Sequence, residues 1–254
     1  MELLRKPFQG LWNIVRFNWH FYLLSGVLVL IIFFGSRLLF PPYRIWGIVV
    51  CGIILLTSFI SLFVSWLVYD VSGLYKLQWL HDMGAGEKSN IANIHAGFDE
   101  TSTLLNQQYP GAQLLVFDFY DPAVHTELSI ARARSAYPPF TGTQHIKTSA
   151  MPVPDNYFSQ VFIILAAHEI RNREERTVFF KEIKRTLQEE GRVIVTEHLR
   201  DIPNFMAYNI GFFHFLSRQS WLATFQLAGL VVEKEKKITP FISTFILAKN
   251  GTAH

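Results

Sequence analysis

Two stretches of this chain, residues 17–36 and residues 45–69, contain no Asp, Glu, Lys or Arg. A helix needs about 20 apolar residues to span a hydrocarbon core about 30 Å thick, so both stretches are expected to be transmembrane helices. The connector between them, residues 37–44, holds Arg37, Arg44 and the pair Pro41-Pro42, which cannot continue a helix and suits a tight hairpin. Residues 1–16 set Arg5, Lys6 and Arg16 among Leu3, Leu4, Phe8, Leu11, Trp12 and Val15, a basic amphipathic lead suited to a headgroup surface. A cleaved signal peptide would need a shorter apolar run and a small-residue cleavage site, and neither is present. A hairpin puts both of its ends on one side. Arg5, Lys6, Arg16, Lys76 and Lys88 lie outside the hairpin against Arg37 and Arg44 in its loop, which favours a cytoplasmic location for the rest of the chain.

Composition agrees with this division. Five of the six tryptophans fall in the first third, where an interfacial aromatic belt would put them. The net charge of +3 gives no support to a nucleic-acid partner and permits only weak attraction to anionic lipid. The single cysteine, Cys51, excludes an intramolecular disulfide and reads as a small buried hydrophobe.

Residues 71–88 read as an amphipathic linker, with Leu74, Leu77 and Leu80 at helical spacing and Trp79 beside them; Gly84-Ala85-Gly86 breaks it and marks a domain boundary. From residue 89 to 254 the pattern alternates strand and helix. Residues 91–121 give an apolar strand, a turn at Gly97, a helix and a second strand ending in Asp118, which follows Gly97 at about the 20-residue interval of a ribose-binding acid. Asp121-Pro122 reads as an N-cap followed by a first-turn proline, predicting a helix over 122–134. A weak third strand falls at 145–148. Residues 157–165 form a near-continuous apolar run, as in a central parallel strand. The pattern predicts a crossover helix over 171–190 capped by Gly191, a strand over 192–197, a helix over 217–228, and two strands over 230–238 and 241–248. The charges from Glu233 to Lys237 suit a solvated sheet edge. In such a doubly wound α/β sheet the ligand sits at the carboxyl ends of the strands, which selects 95–99, 118–121, 166–169 and 197–199.

Over roughly residues 89–249 the chain resembles the class I S-adenosylmethionine-dependent methyltransferases. Asn93-Ile94-His95-Ala96-Gly97-Phe98-Asp99-Glu100-Thr101-Ser102 is similar to that family's first motif, a glycine-rich turn opened by an acid. LLVFDFYDP resembles its second strand with the ribose acid, MPVPDNYFSQVFIILAAHEI its approach to the fourth strand, and EIKRTLQEEGRVIVTEHLRD its long helix and fifth strand. The resemblance implies a doubly wound, seven-stranded Rossmann-like domain behind a two-helix transmembrane hairpin. It also implies S-adenosylmethionine as cofactor, with contacts from Asn93, His95, Ala96, Gly97, Asp118, Phe119, Ser149 and Ala166. Of the family's three alternating glycines only Gly97 is kept; His95 and Asp99 replace the others, and Asn93 stands where the family has an acid.

His168, after the fourth strand, faces the methyl donor in the family; with Glu197 it forms the expected catalytic pair, imidazole being able to take a proton near neutral pH. The insert over 203–216, rich in Phe and Met, corresponds to the family's substrate-pocket region. The leading expectation is a membrane-anchored methyltransferase for a lipophilic small-molecule or lipid-like acceptor. The second, drawn from the replaced glycines, is a non-catalytic methyltransferase-like interaction module in which the His95 and Asp99 side chains fill the cofactor space. No Cys/His cluster shows metal-ligand spacing, so no metal is expected.

Overall fold

The computed structural model describes residues 5–38, 41–83, 89–125 and 128–250. Three helices open the chain: α1 (Gln9–Phe17), α2 (Trp19–Leu38) and α3 (Pro41–Trp66). The proline pair stands at the first turn of α3, where a missing N–H costs nothing. Helices α2 and α3 pack as an antiparallel hairpin. Cys51 lies against the Val29 carbonyl, and Gly47 meets Ser36 so closely that a Cβ on Gly47 would stand 2.3 Å from the serine Cβ. Both helices are long and apolar enough to cross a membrane, and only 6% and 17% of their most apolar windows are buried. Core helices of a soluble protein would be mostly covered. Large side chains such as Leu24, Ile31, Phe34, Trp46 and Phe59 stand exposed along them.

Beyond α3 the chain makes one π turn (Leu67–Val71) and two 3-10 turns (Leu74–Lys76 and Gln78–Met83). Here Asp70 accepts hydrogen bonds from the N–H groups of Gly10 (2.8 Å) and Leu11 (2.9 Å), fixing the first turn of α1 against the foot of α3. The expected boundary at 84–86 lies outside the described residues.

The remainder forms a seven-stranded sheet in the order β3-β2-β1-β4-β5-β7-β6. Its strands are β1 (Asn90–His95), β2 (Gln113–Asp118), β3 (Gln144–His145), β4 (Phe158–Ile164), β5 (Leu187–His198), β6 (Leu230–Thr239) and β7 (Ile242–Lys249). The first five run parallel, and β7 enters antiparallel between β5 and β6. β4 takes the centre, as its apolar run predicts, and charged β6 takes an edge. The crossover elements are α4 (Ser102–Gln108), α5 (Leu128–Ala136), α6 (Arg173–Thr186), α7 (Ile202–Tyr208) and α8 (Arg218–Ala228). Phe158, Phe179, Phe180, Trp221, Phe225 and Phe245 anchor the larger core between sheet and helices.

Two boundaries differ from the sequence expectation. The helix expected over 122–134 is described from Leu128 as α5; residues 122–124 form a turn in which the Asp121 carboxylate accepts from the Ala123 N–H (2.9 Å). The helix expected to reach Glu190 ends at Thr186. Leu187 already pairs with Phe158 of β4, so Gly191 belongs to β5 and is no C-cap; sheet pairing overrides the helical propensity of Gln188, Glu189 and Glu190.

Candidate active site

The parallel register places His95 beside Asp118 at the carboxyl ends of β1 and β2. The turn that follows needs a glycine, since Gly97 has φ of 87°, in the left-handed region. His95 Nδ1 accepts from the Gly97 N–H (3.0 Å) and holds the turn from beneath. Asp99, in the place of a family glycine, folds back to cap α4, its Oδ1 accepting from the N–H groups of Thr101 (3.0 Å) and Ser102 (2.9 Å). Asn93 donates its amide to the hydroxyls of Thr101 (2.9 Å) and Ser102 (2.8 Å). Three buried atoms around this turn have no hydrogen-bond partner: Asn93 Oδ1, His95 Nε2 and Asp99 Oδ2. Burial lowers the His95 pKa, against the pull of Asp99 and Asp118, and leaves the ring neutral at physiological pH.

Asp118 is 3% exposed. Its Oδ1 accepts from the Tyr120 N–H (2.9 Å), and its Oδ2 pairs with the guanidinium of Arg134 from α5. Arg134 lies over the Tyr120 ring and occupies the space beside Gly97, where a Cβ would stand 2.0 Å from its Nη1. His145, paired with Asp118 across the β2–β3 register, brings Nδ1 to 3.5 Å from the same carboxylate. Sequence spacing pointed to neither Arg134 nor His145. Ala96 and Ala166 are buried at the ends of β1 and β4. Phe119 sits in the core against Phe179 and His125, and Ser149 lies exposed in a turn closed by the Ala150 N–H on the Lys147 carbonyl.

The carboxyl ends of β4 and β5 form a second polar group. The chain leaves β4 through Leu165 at φ of 53°, an unfavourable conformation for a bulky side chain, and enters a 3-10 turn, Ala167–Glu169. Glu197, fully buried at the end of β5, contacts His168 twice: Oε2 lies 2.6 Å from Nδ1, and Oε1 accepts from the backbone N–H (3.2 Å). The other ring nitrogen lies 3.2 Å from Glu169 Oε1. Burial disfavours the imidazolium, but Glu197 and Glu169 outweigh it and raise the His168 pKa to about 10. His168 therefore already holds a proton near neutrality, contrary to the expectation that it takes one there. Glu169 itself is held well below the usual carboxylate range: its burial is overcome by His168 and by His214, whose Nε2 is 3.7 Å from Oε1. The adjacent His198 bonds Asn204 through Nδ1 (3.0 Å) and the Tyr69 hydroxyl through Nε2 (2.8 Å), tying the end of β5 to the foot of α3.

Residues 93–195 match the methyltransferase domain family. The α/β unit is a methyltransferase domain. Its cofactor is S-adenosylmethionine. Solved structures share the fold. A SAM-dependent methyltransferase from Aquifex aeolicus superposes with a TM-score of 0.50 at 14% identity, covering 75% of this chain and 97% of its own. A methyltransferase from Haloferax volcanii, solved in complex with the activator Trm112, gives 0.51 at 13% identity, over 72% and 96%. A SAM-dependent methyltransferase from Methanosarcina mazei gives 0.50 at 13%, over 68% and 97%. No curated protein matches the chain in sequence.

The methyltransferase domain's turn fits its cofactor in chemistry. An acid ends β2 for two ribose hydroxyls, and Asn93 Oδ1 is a free buried acceptor for an ammonium group. The Arg134 side chain occupies the space beside Gly97; it is 30% exposed and has solvent to move into.

Proposed function

We propose that this chain is a membrane-anchored, cytoplasm-facing methyltransferase that moves a methyl group from S-adenosylmethionine to a lipophilic small-molecule or lipid-like acceptor. The observation that carries the reading is the position of α7. Ala207 of α7 is buried in one cluster with Val64 and Val68 at the foot of α3. Its outer residue Met206 and the following Ile210 and Phe213 are 64%, 84% and 62% exposed. The apolar lip of the acceptor end thus adjoins the point where the chain leaves the hairpin, which suits an acceptor arriving from the bilayer. The low burial of α2 and α3 supports the anchor.

When bound, S-adenosylmethionine supplies an electrophilic methyl group on a sulfonium. That methyl group would pass to the acceptor as the S–CH3 bond breaks, the acceptor's proton would go to solvent, and S-adenosylhomocysteine would leave. The chain's own work is positional. Asp118 takes the ribose hydroxyls once Arg134 moves aside, and Asn93 Oδ1 accepts from the ammonium. Gly97 lets the backbone approach, with Ala96 and Ala166 as small neighbours. Glu197 locks the His168 ring against the acceptor end, and because His168 already carries its proton it serves to position the acceptor and does not act as a base. Calorimetric titration of the detergent-solubilised full chain with S-adenosylhomocysteine should give micromolar binding, and alkaline washing should leave the chain in the membrane fraction. A folded protein that evolves no heat would remove the enzyme reading; release by alkali would remove the anchor.

A further inference from the structure

In-line methyl transfer does not account for the arrangement around Glu169. This residue is 3% exposed, its charged neighbours are the His168 and His214 imidazoles, and its Oε2 is buried without a hydrogen-bond partner. An ionised carboxylate buried with an unused oxygen is costly unless something supplies the missing contact.

The three residues each present a donor atom, and these lie within 4.8 Å of one another. His168 Nε2 is 3.2 Å and His214 Nε2 3.7 Å from Glu169 Oε1. Metal–ligand bonds of about 2.0–2.1 Å in a tetrahedral site set neighbouring donors about 3.3 Å apart, so the glutamate already stands near ligating distance from both rings. The behaviour of Glu197 is the second, independent observation. It is fully buried and binds His168 through Nδ1 at 2.6 Å, which fixes the ring with Nε2 toward Glu169. A carboxylate behind a ligating histidine is the usual support of such a ring.

We propose that His168, Glu169 and His214 form a binding site for one divalent transition cation of the zinc class. On binding, the ion displaces the proton that His168 Nε2 shares with Glu169, and that proton leaves to solvent. Two imidazole nitrogens and one carboxylate oxygen suit such an ion and disfavour calcium or magnesium, which prefer all-oxygen shells. Three protein ligands leave a fourth position open. Its place at the carboxyl ends of β4 and β5 would let an acceptor oxygen enter it, a consequence that rests on the methyltransferase reading; the cation site itself does not. Arg171, exposed on the surface, lies against both ring nitrogens of His214 and must swing aside when the ion binds.

The test uses the full chain in detergent, stripped with a chelator and then titrated with Zn2+ or Co2+ alone, without cofactor or acceptor. One equivalent of zinc should be retained through gel filtration, and the cobalt form should show the visible bands of a four- or five-coordinate site. His214→Ala, on a partly exposed turn where folding is not at stake, should weaken binding at least 100-fold. Glu197→Gln should weaken it 10- to 100-fold while keeping the stoichiometry, and Arg171→Ala should strengthen it. Zinc uptake by folded wild type that survives both His214→Ala and Glu169→Gln unchanged would overturn the assignment, as would no uptake at all. Equal retention of Mg2+ would overturn the zinc-class identity.

Discussion

The two halves of the sheet's carboxyl edge satisfy their buried polar groups in different ways. On the β1–β2 half, Asn93, His95 and Asp99 each leave one buried atom unpartnered, and Asp118 is held by an arginine borrowed from α5. On the β4–β5 half, His168 is held between Glu197 and Glu169, and His198 between Asn204 and Tyr69. An unpartnered buried polar atom costs about 1–3 kcal/mol. Three in one turn make a site whose free energy falls when a polar ligand arrives. The β4–β5 half is a rigid wall assembled in advance, with Glu169 Oε2 as its unpartnered carboxylate oxygen. One half leaves several donors and acceptors open, the other pairs nearly all of its own.

The largest effect that would break this contrast is at Asp118. On the proposed cofactor placement, Asp118→Ala removes the charged acceptor for two hydroxyls, and hydrogen bonds to a charged group contribute about 1.5–3 kcal/mol each. Binding of S-adenosylhomocysteine should weaken by about 100-fold or more in calorimetry, with the thermal unfolding of the chain little changed. Undiminished binding would show that the ligand half lies elsewhere.

The preassembled half is tested by acid. Burial, together with the nearby charges of His168 and His214 and against the help of Asn204, lowers the His198 pKa to about 4. In the unfolded chain it returns to about 6.5. The unfolded state therefore binds the extra proton first as pH falls. Stability from this group is complete above about pH 6.5 and is lost progressively toward pH 4, by up to about 3 kcal/mol. Denaturant unfolding at pH 7 and pH 4.5 should show this loss, and His198→Gln should flatten it. A variant with the same pH slope as wild type would mean that the buried imidazole is not what makes this half rigid.

Much of the ligand half was legible in the sequence because its parts are local. The turn at Gly97, the acid at the next strand's end and the register that joins them all fall within one strand–helix–strand unit, whose spacing is fixed by element lengths. Arg134 was not legible: it reaches Asp118 from α5 across 16 residues, a contact that no local spacing announces. Phe119, expected at the cofactor from the resemblance, lies in the core against Phe179 and His125. In the other half, His168 and Glu197 stood out as polar residues after apolar strands, but His214 comes from a distant segment. Only the path of α7 and the 3-10 turn Asn209–His214 brings it to Glu169. The central strand and charged edge strand were legible because apolar continuity and charge report burial directly, while the end of α6 was hidden by residues equally at home in a helix.

The halves also differ in how they are tied to the N-terminal helical hairpin. The ligand half uses Glu100, next to Asp99, which accepts from Arg5 (2.7 Å), Tyr75 (2.8 Å) and Asn13 (3.3 Å). The other half uses the Tyr69–His198 bond. Glu100→Ala strands three donors in a buried place and should cost about 2 kcal/mol of unfolding free energy, read from tryptophan fluorescence in denaturant. Tyr69→Phe should cost about 1 kcal/mol. Equal costs would mean that both halves are tethered alike.

An effect of about tenfold, well below that expected at Asp118, decides what Arg134 does. If its guanidinium only stands in for the ligand, Arg134→Ala clears the space beside Gly97 and leaves Asp118 with the Tyr120 N–H and the distant edge of His145. Cofactor binding should then tighten by about tenfold, or about 1.4 kcal/mol, because the ligand no longer has to break an ion pair. Wild-type binding should also strengthen with added salt, which screens a partly exposed pair, while the variant's binding should lose that response. A decrease in affinity would instead show that Arg134 turns toward the ligand and holds its carboxylate. The ligand half would then be as preassembled as its neighbour, and the contrast between the two would rest on the three unpartnered atoms alone.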